Sequence, residues 1–228
     1  MKKYKYLVGF LLLVLVFFIY LTTLDKKIYY LNIGDSFSFG YQKYVENYLK
    51  EQKIYENSIS FLKDDIRVND LTYMIESNEK KDHVSIKNAL IKADCVTLSI
   101  GFFDFASRVE EAHYPIQYEK LESYMDELLI DFDSLFQLLR ESCKEPILVL
   151  GYYNPSFSTE KKEYYELLNE RLKKLCEQYH MTFVNIYELL EENKEEFLLK
   201  EEPFVLSNKG YSAISREIIS KIEQILLK

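Results

Sequence analysis

Short apolar runs alternate along this chain with amphipathic segments of helical spacing. Four runs are rich in β-branched and aromatic residues, as in buried strands, and they cover residues 28–33, 95–100, 146–150 and 182–186. Between and after them, apolar residues recur every three or four positions, as on one face of a helix. The stripes run from Tyr41 to Leu49, Leu121 to Leu139, Leu168 to Tyr179 and Tyr211 to Ile225. This alternation predicts a three-layer α/β sandwich, with helices on both faces of a parallel sheet.

Three segments directly follow predicted strands and are therefore candidates for a site. In parallel α/β sheets, ligands bind beyond the carboxyl ends of the strands. Ser36, residues 101–105 and residues 152–154 all fall at this edge of the predicted sheet. Tyr152 and Tyr153 either line such a site or pack beneath a loop, and the sequence leaves both interpretations open.

The N-terminal segment has a different pattern. After three lysines in the first five residues, the 19 residues from Tyr6 to Leu24 carry no charge, close to the roughly 20 needed to cross a bilayer. The small residues of a signal-peptide cleavage site are not evident. We expect residues 1–25 to be an uncleaved, single-pass membrane anchor and 26–228 to form one domain; a buried core helix is the alternative. The lysines before the run favour an extracytoplasmic position for the C-terminal domain.

Charge and composition narrow the classes of partner and cofactor. Residues 26–228 contain 26 of the 29 basic and 36 of the 37 acidic residues, a net charge of about −10. Such acidity disfavours nucleic acid and anionic lipid as partners. Metal-ligand spacings, P-loops and dinucleotide-binding glycine patterns are missing, so we expect no metal and no cofactor. Cys95, Cys143 and Cys176 lack CxxC spacing and are expected to be buried free thiols, with one disulfide as the alternative.

The tripeptide Gly34-Asp35-Ser36 ends the first predicted strand and leads into a helix. A turn of this kind can expose a serine hydroxyl as a nucleophile and direct helix amides toward developing negative charge. Serine and aspartate also cap helices in proteins that catalyse nothing. A catalytic serine further needs a base, a group that orients the base, and donors for the oxyanion. The tripeptide alone leaves both roles open for Ser36.

Four segments in order resemble the sequence blocks of the SGNH (GDSL-type) hydrolases. They are YLNIGDSFSFG (30–40), DIRVNDL (65–71), TLSIGFFDF (97–105) and VLSNKGYSAI (205–214). The resemblance covers about 26–228 and is most specific in the first and last blocks. It implies a flavodoxin-like α/β fold, cleavage of esters or acetyl groups, Ser36 as the nucleophile, and Gly101 in the oxyanion region.

The chain departs from this family at the other catalytic positions. Asp65 stands where a glycine lends its amide to the oxyanion hole, and Phe103 replaces an asparagine donor. Glu202 and Val205 occupy the positions of the catalytic aspartate and histidine. Valine cannot accept a proton, and losing the base of a serine hydrolase lowers turnover on the order of 10⁶-fold.

These departures predict a pseudoenzyme: a membrane-anchored, extracytoplasmic protein with lost or strongly impaired ester-hydrolase activity. It would serve as a binding or scaffolding module at the cell envelope, with a carbohydrate or acyl ester as candidate ligand. One alternative is an active esterase or deacetylase that uses Ser36 and a relocated base, for which His113 is the candidate. A second is a purely structural domain in which Ser36 caps a helix. The sequence leaves the enzymatic status and the oligomeric state open.

Overall fold

The computed structural model describes Val14 and residues 27–111, 118–155, 161–199, 202 and 205–226. The strands are β1 (Ile28–Gly34), β2 (Tyr55–Leu62), β3 (Lys80–Lys81), β4 (Val84–Ser85), β5 (Cys95–Ser99), β6 (Ile147–Leu150) and β7 (Thr182–Val184). The helices are α1 (Phe37–Glu51), α2 (Val68–Glu76), α3 (Ile86–Lys92), α4 (Phe102–Glu111), α5 (Tyr118–Ser142), α6 (Lys162–Gln178), α7 (Tyr187–Glu192), α8 (Lys194–Phe197) and α9 (Asn208–Leu226).

The predicted anchor, residues 1–25, lies outside the described residues except for Val14. Within the described part of the chain, no helix is both long enough and apolar enough to cross a bilayer.

Five strands form one parallel sheet in the order β2-β1-β5-β6-β7. This is the strand order of flavodoxin-like folds. Because all five strands run the same way, their carboxyl ends lie at one edge of the sheet, here called the carboxyl edge. Their first residues lie at the opposite edge, the amino edge. The predicted α/β class with a parallel sheet is confirmed.

The helices form two packed groups around this sheet. Helix α1 packs against α9, whereas α5 packs against α2, α3, α4 and α6. The strand order extends from β1 in both directions, to β2 on one side and to β5 on the other. Because connections between parallel strands are right-handed, the helices of these two directions lie on opposite faces of the sheet. Every residue of the central strands β5 and β6 is buried, as expected for strands between two layers of helices.

The four predicted strands are present, but β2 was not predicted. Its sequence, YENSISFL, has one buried residue, Phe61. An edge strand is paired on one side only and remains partly solvated, so it needs no continuous apolar run. The three cysteines are free and buried, as expected.

Arg140 joins the end of α5 to the segment before β7. Its guanidinium donates to the carbonyls of Tyr179 at 2.8 Å, Glu145 at 2.8 Å and His180 at 2.7 Å, with a longer bond to Cys143 at 3.3 Å. The Arg140 guanidinium thus donates to four backbone carbonyls at the amino edge, two in the turn before β6 and two in the turn before β7. Its planar fork is suited to this arrangement, whereas a lysine ammonium is not.

We expect Arg140→Ala to lower the free energy of unfolding by about 2–3 kcal/mol, because several charge-assisted hydrogen bonds are lost at once. Arg140→Lys is the matched control: it keeps the charge and loses the fork. Urea unfolding should find the lysine variant nearly as unstable as the alanine variant. Full stability in the lysine variant would mean that charge alone matters at this position.

Candidate functional site

Ser36 lies in the turn between β1 and α1, as predicted, and is partly exposed. Its side chain makes no capping hydrogen bond. Instead, Asp35 Oδ1 accepts a hydrogen bond from the Phe37 amide at 3.1 Å. The aspartate therefore caps α1, and the interpretation of Ser36 as the capping side chain is wrong.

Gly34 allows β1 and β5 to approach closely at the carboxyl edge. Its φ is +153°, and a Cβ at this position would lie 2.0 Å from the Ser99 carbonyl oxygen. The Asp35 amide donates to that same carbonyl at 3.0 Å. This bond ties the start of the turn to the end of the neighbouring strand, and it accompanies the complete burial of Asp35.

Two carboxyls with unsatisfied oxygens occupy this edge. Oδ2 of Asp35 and Oδ2 of Asp104 are both buried without a hydrogen-bond partner among the described residues. Burial raises the pKa of Asp35 to about 7, and the charges of Asp104 and Asp65 add to this effect against two backbone hydrogen bonds. Burial also raises the pKa of Asp104. Both buried carboxyls therefore favour their neutral, protonated form.

An aromatic cluster covers the ends of β1, β5 and β6. Its members are Phe37, Phe102, Tyr152, Tyr153 and Tyr165, all buried. Phe102 and Tyr153 stack with ring centroids 4.8 Å apart, and Phe37 stacks on Tyr153 at 5.7 Å. Tyr152 and Tyr165 stack on Phe102 at 6.1 and 6.2 Å. The tyrosines after β6 thus pack inside the protein, which resolves the question left open by the sequence.

The space left within the aromatic cluster is small. A cavity of about 10 Å³ remains, lined by Phe37, Ser99, Ile100, Phe102, Leu150, Gly151, Tyr152 and Tyr153. This is about the room that one water molecule needs. Ser36 does not line this cavity, and clefts of 290 to 600 Å³ elsewhere on the described surface are lined by other residues.

Asn169 of α6 fixes the segment that carries the two tyrosines. Its Oδ1 accepts from the Tyr152 amide at 2.7 Å, and its Nδ2 donates to the Tyr152 carbonyl at 2.8 Å. The Tyr152 hydroxyl donates to the Ile100 carbonyl at 3.0 Å. At Gly101, where φ is +85°, a Cβ would lie 2.5 Å from that hydroxyl. Gly101 therefore accommodates the aromatic cluster.

The residues at the family's other catalytic positions do not form a polar constellation. Asp65 is exposed with a φ of +55°, and Phe103 packs edge-on against Phe102 at 5.9 Å. Val205 is 38% exposed, and its amide donates to the carbonyl of exposed Glu202 at 2.9 Å. His113, the candidate relocated base, lies outside the described residues.

Sequence reasoning did not identify Asp35, Phe37 or Tyr165, and it placed Phe102 at this edge within residues 101–105 without predicting its stacking. A signal for two of them was available: Phe37 and Phe102 each follow within three residues of a strand-terminating glycine or serine, beside the predicted site. Within the described part of the chain, no group of metal-binding side chains is found.

The comparisons with known proteins identify relatives by structure. No family model and no curated protein matches the sequence. The lipase Lip_vut3 from a goat rumen metagenome superposes with a TM-score of 0.72 at 17% identity, over 85% of this chain and 97% of that one. The acetylxylan esterase Axe2 from Geobacillus stearothermophilus gives 0.64 at 16% identity, over 88% and 96%. The acetyl xylan esterase AlAXEase gives 0.63 at 15%, over 86% and 100%. The chain thus has the fold of the SGNH/GDSL-type hydrolases.

We expect Asp35 to make the protein less stable as the pH rises from about 4 to about 7. In this range the folded chain keeps a proton that the unfolded chain has lost, because the pKa rises from 3.8 to about 7 on folding. Asp35→Asn still accepts from the Phe37 amide but does not titrate. Relative to wild type, its free energy of unfolding should rise by about 2 kcal/mol between about pH 5 and pH 8.

Urea unfolding at several pH values measures this difference. Asp64→Asn, which removes an exposed carboxyl from the loop after β2, is the matched control. An equal pH dependence in both variants would attribute the effect to overall charge and not to the burial of Asp35.

Proposed function

We propose that this chain is a membrane-anchored SGNH-fold protein whose hydrolase site has been lost, acting as a binding or scaffolding module at the cell envelope. The observation that carries the proposal is the aromatic cluster. It fills the ends of β1, β5 and β6 and leaves room for about one water molecule. A ligand that entered between the ends of these strands would need more space than this, because ligand pockets typically measure several hundred Å³.

The chemistry at the substituted positions supports the same proposal. Axe2 variants described as catalytic mutants carry changes at a serine, at a histidine and at an aspartate three residues before that histidine. In the present chain, the family resemblance places Ser36, Val205 and Glu202 at those positions. Val205 has no lone pair that could accept the serine proton. A hydroxyl without a base remains a poor nucleophile at neutral pH.

The charges at the carboxyl edge argue in the same direction. A hydrolase stabilises the oxyanion with hydrogen-bond donors and positive potential. Here Asp35, Asp65 and Asp104 contribute three carboxyls, and the charges of the last two raise the pKa of the first. Phe103 packs on another ring and offers no side-chain donor. Carboxyls and a phenylalanine ring thus stand at this edge, where a hydrolase would place hydrogen-bond donors for the oxyanion.

The proposed anchor supplies the location. The uncharged run from Tyr6 to Leu24 would hold the N-terminus in the bilayer, and the preceding lysines favour an extracytoplasmic domain. What remains available for function is then the outer surface of the domain and not its former site. A carbohydrate or acyl ester of the envelope is the ligand class suggested by the structural relatives, a lipase and acetylxylan esterases.

We expect a fluorophosphonate probe to label the full-length chain, purified in detergent, no more than it labels the Ser36→Ala variant. Hydrolysis of an activated acetate ester should likewise be equal in the two proteins. A cooperative unfolding transition in both serves as the control for folding. An active esterase of the same fold provides the positive control for the probe.

Labelling and ester turnover that disappear in Ser36→Ala would contradict the proposal and indicate an active esterase. His113→Ala would then test the relocated base: loss of turnover with unchanged stability would assign that role to His113.

A further inference from the structure

The position of the proposed anchor restricts how the domain can sit on a membrane. Three residues, 25–27, separate the end of the apolar run at Leu24 from the first residue of β1, Ile28. Four Cα steps span at most about 14 Å. The amino end of β1 is therefore held within about that distance of the bilayer surface.

The parallel sheet extends this restriction to the whole amino edge. Strand β1 lies second in the order β2-β1-β5-β6-β7, and neighbouring strands are about 4.8 Å apart. The first residues of all five strands thus lie within roughly 15 Å of the anchored strand, measured across the sheet. The seven residues of β1 carry the carboxyl edge about 23 Å away from this point. A domain that stands upright on this anchor would present its amino edge to the membrane and Ser36 to the exterior.

Charge is distributed unevenly between the amino edge and the rest of the domain. An exposed basic side chain or histidine precedes each strand of the sheet; these are Lys27, Lys53, Lys92, Lys144 and His180. The segments that lead into the strands, residues 27, 50–54, 91–94, 140–146 and 177–181, carry six basic and five acidic side chains. Their net charge is +1, whereas the remainder of 26–228 carries about −11. The general acidity that disfavours anionic lipid is therefore not present at this edge.

The amino edge also offers a cleft and exposed apolar side chains. A cleft of about 600 Å³ lies beside the starts of β6 and β7, and Lys144, His180 and Ile225 are among its lining residues. Ile225 is 38% exposed and Ile91, next to Lys92, is 68% exposed. Basic groups beside isolated apolar side chains are the combination that binds the interface of an anionic bilayer.

We propose that the amino edge is a docking surface for anionic phospholipid headgroups, which orients the domain with its carboxyl edge toward the exterior. This inference rests on the proposed membrane anchor. Lys53 and Lys144 contact headgroup phosphates from opposite sides of β1, and the cleft at β6 and β7 receives a headgroup. Docking on a lipid surface leaves the carboxyl edge free for a partner of the envelope.

The test measures amide hydrogen exchange of the full-length chain in lipid nanodiscs. One set of discs contains phosphatidylcholine only, and the other contains phosphatidylcholine with phosphatidylglycerol. Amides of residues 50–54, 91–94, 144 and 145 should exchange about fivefold or more slowly in the anionic discs, since each lysine at an anionic surface contributes about that factor. Amides of 36–40 and 205–208 should not differ between the discs.

Two double variants with the same change in charge separate docking from general electrostatics. Lys53→Glu with Lys144→Glu alters the amino edge and should abolish the slower exchange. Lys63→Glu with Lys162→Glu alters exposed lysines at the carboxyl edge and should retain it. Equal loss in both double variants would overturn the proposed docking surface.

The nanodisc experiment gives different results if the proposed anchor is wrong and if only the proposed docking surface is wrong. If the chain does not co-purify with either kind of disc, the anchor is wrong and the docking surface falls with it. If the chain co-purifies with both and the amino-edge amides exchange at equal rates in both, the anchor stands and the docking surface is wrong.

Discussion

The close approach of β1 to β5 at Gly34 constrains everything built on the carboxyl edge. With the Ser99 carbonyl 2.0 Å from the place of a Cβ, no other residue fits there without moving a strand. The following amide bonds to that carbonyl, and the Asp35 carboxyl turns into the interior, where its Oδ1 caps α1. A wholly buried carboxyl with one unsatisfied oxygen favours its neutral form. The Asp35 side chain that caps α1 therefore tends to keep its proton.

The aromatic cluster occupies the same edge of the sheet as this buried carboxyl. The chain superposes on a lipase and on acetylxylan esterases across most of their length. At the edge where such a fold holds its site, rings stack from α1, α4 and the segment after β6. Asn169 fixes that segment through both backbone groups of Tyr152. The ring stacking and the Asn169 hydrogen bonds together fix the residues at this edge.

Much of the fold could be predicted from the sequence, whereas the packing of side chains at the carboxyl edge could not. Central strands such as β5 and β6 are buried along their whole length, so their runs are apolar and were predicted. Strand β2, solvated at the sheet edge, has no such run. The substitutions at Phe103 and Val205 are visible in the sequence, but the stack that fills the edge depends on residues far apart in the chain. Phe37, Phe102 and Tyr153 meet only because three parallel strands end side by side, which periodicity cannot reveal.

The central claim is that these rings contact one another and occupy the carboxyl edge. A double-mutant cycle of Phe102→Leu and Tyr153→Leu, measured by urea unfolding, tests it most directly. Stacking predicts a coupling free energy of about 0.5–1.5 kcal/mol. Phe102→Leu with Tyr179→Leu, at opposite edges of the sheet, should be additive within about 0.5 kcal/mol. A coupling of zero between Phe102 and Tyr153 would contradict the account, because rings that do not interact leave the carboxyl edge open.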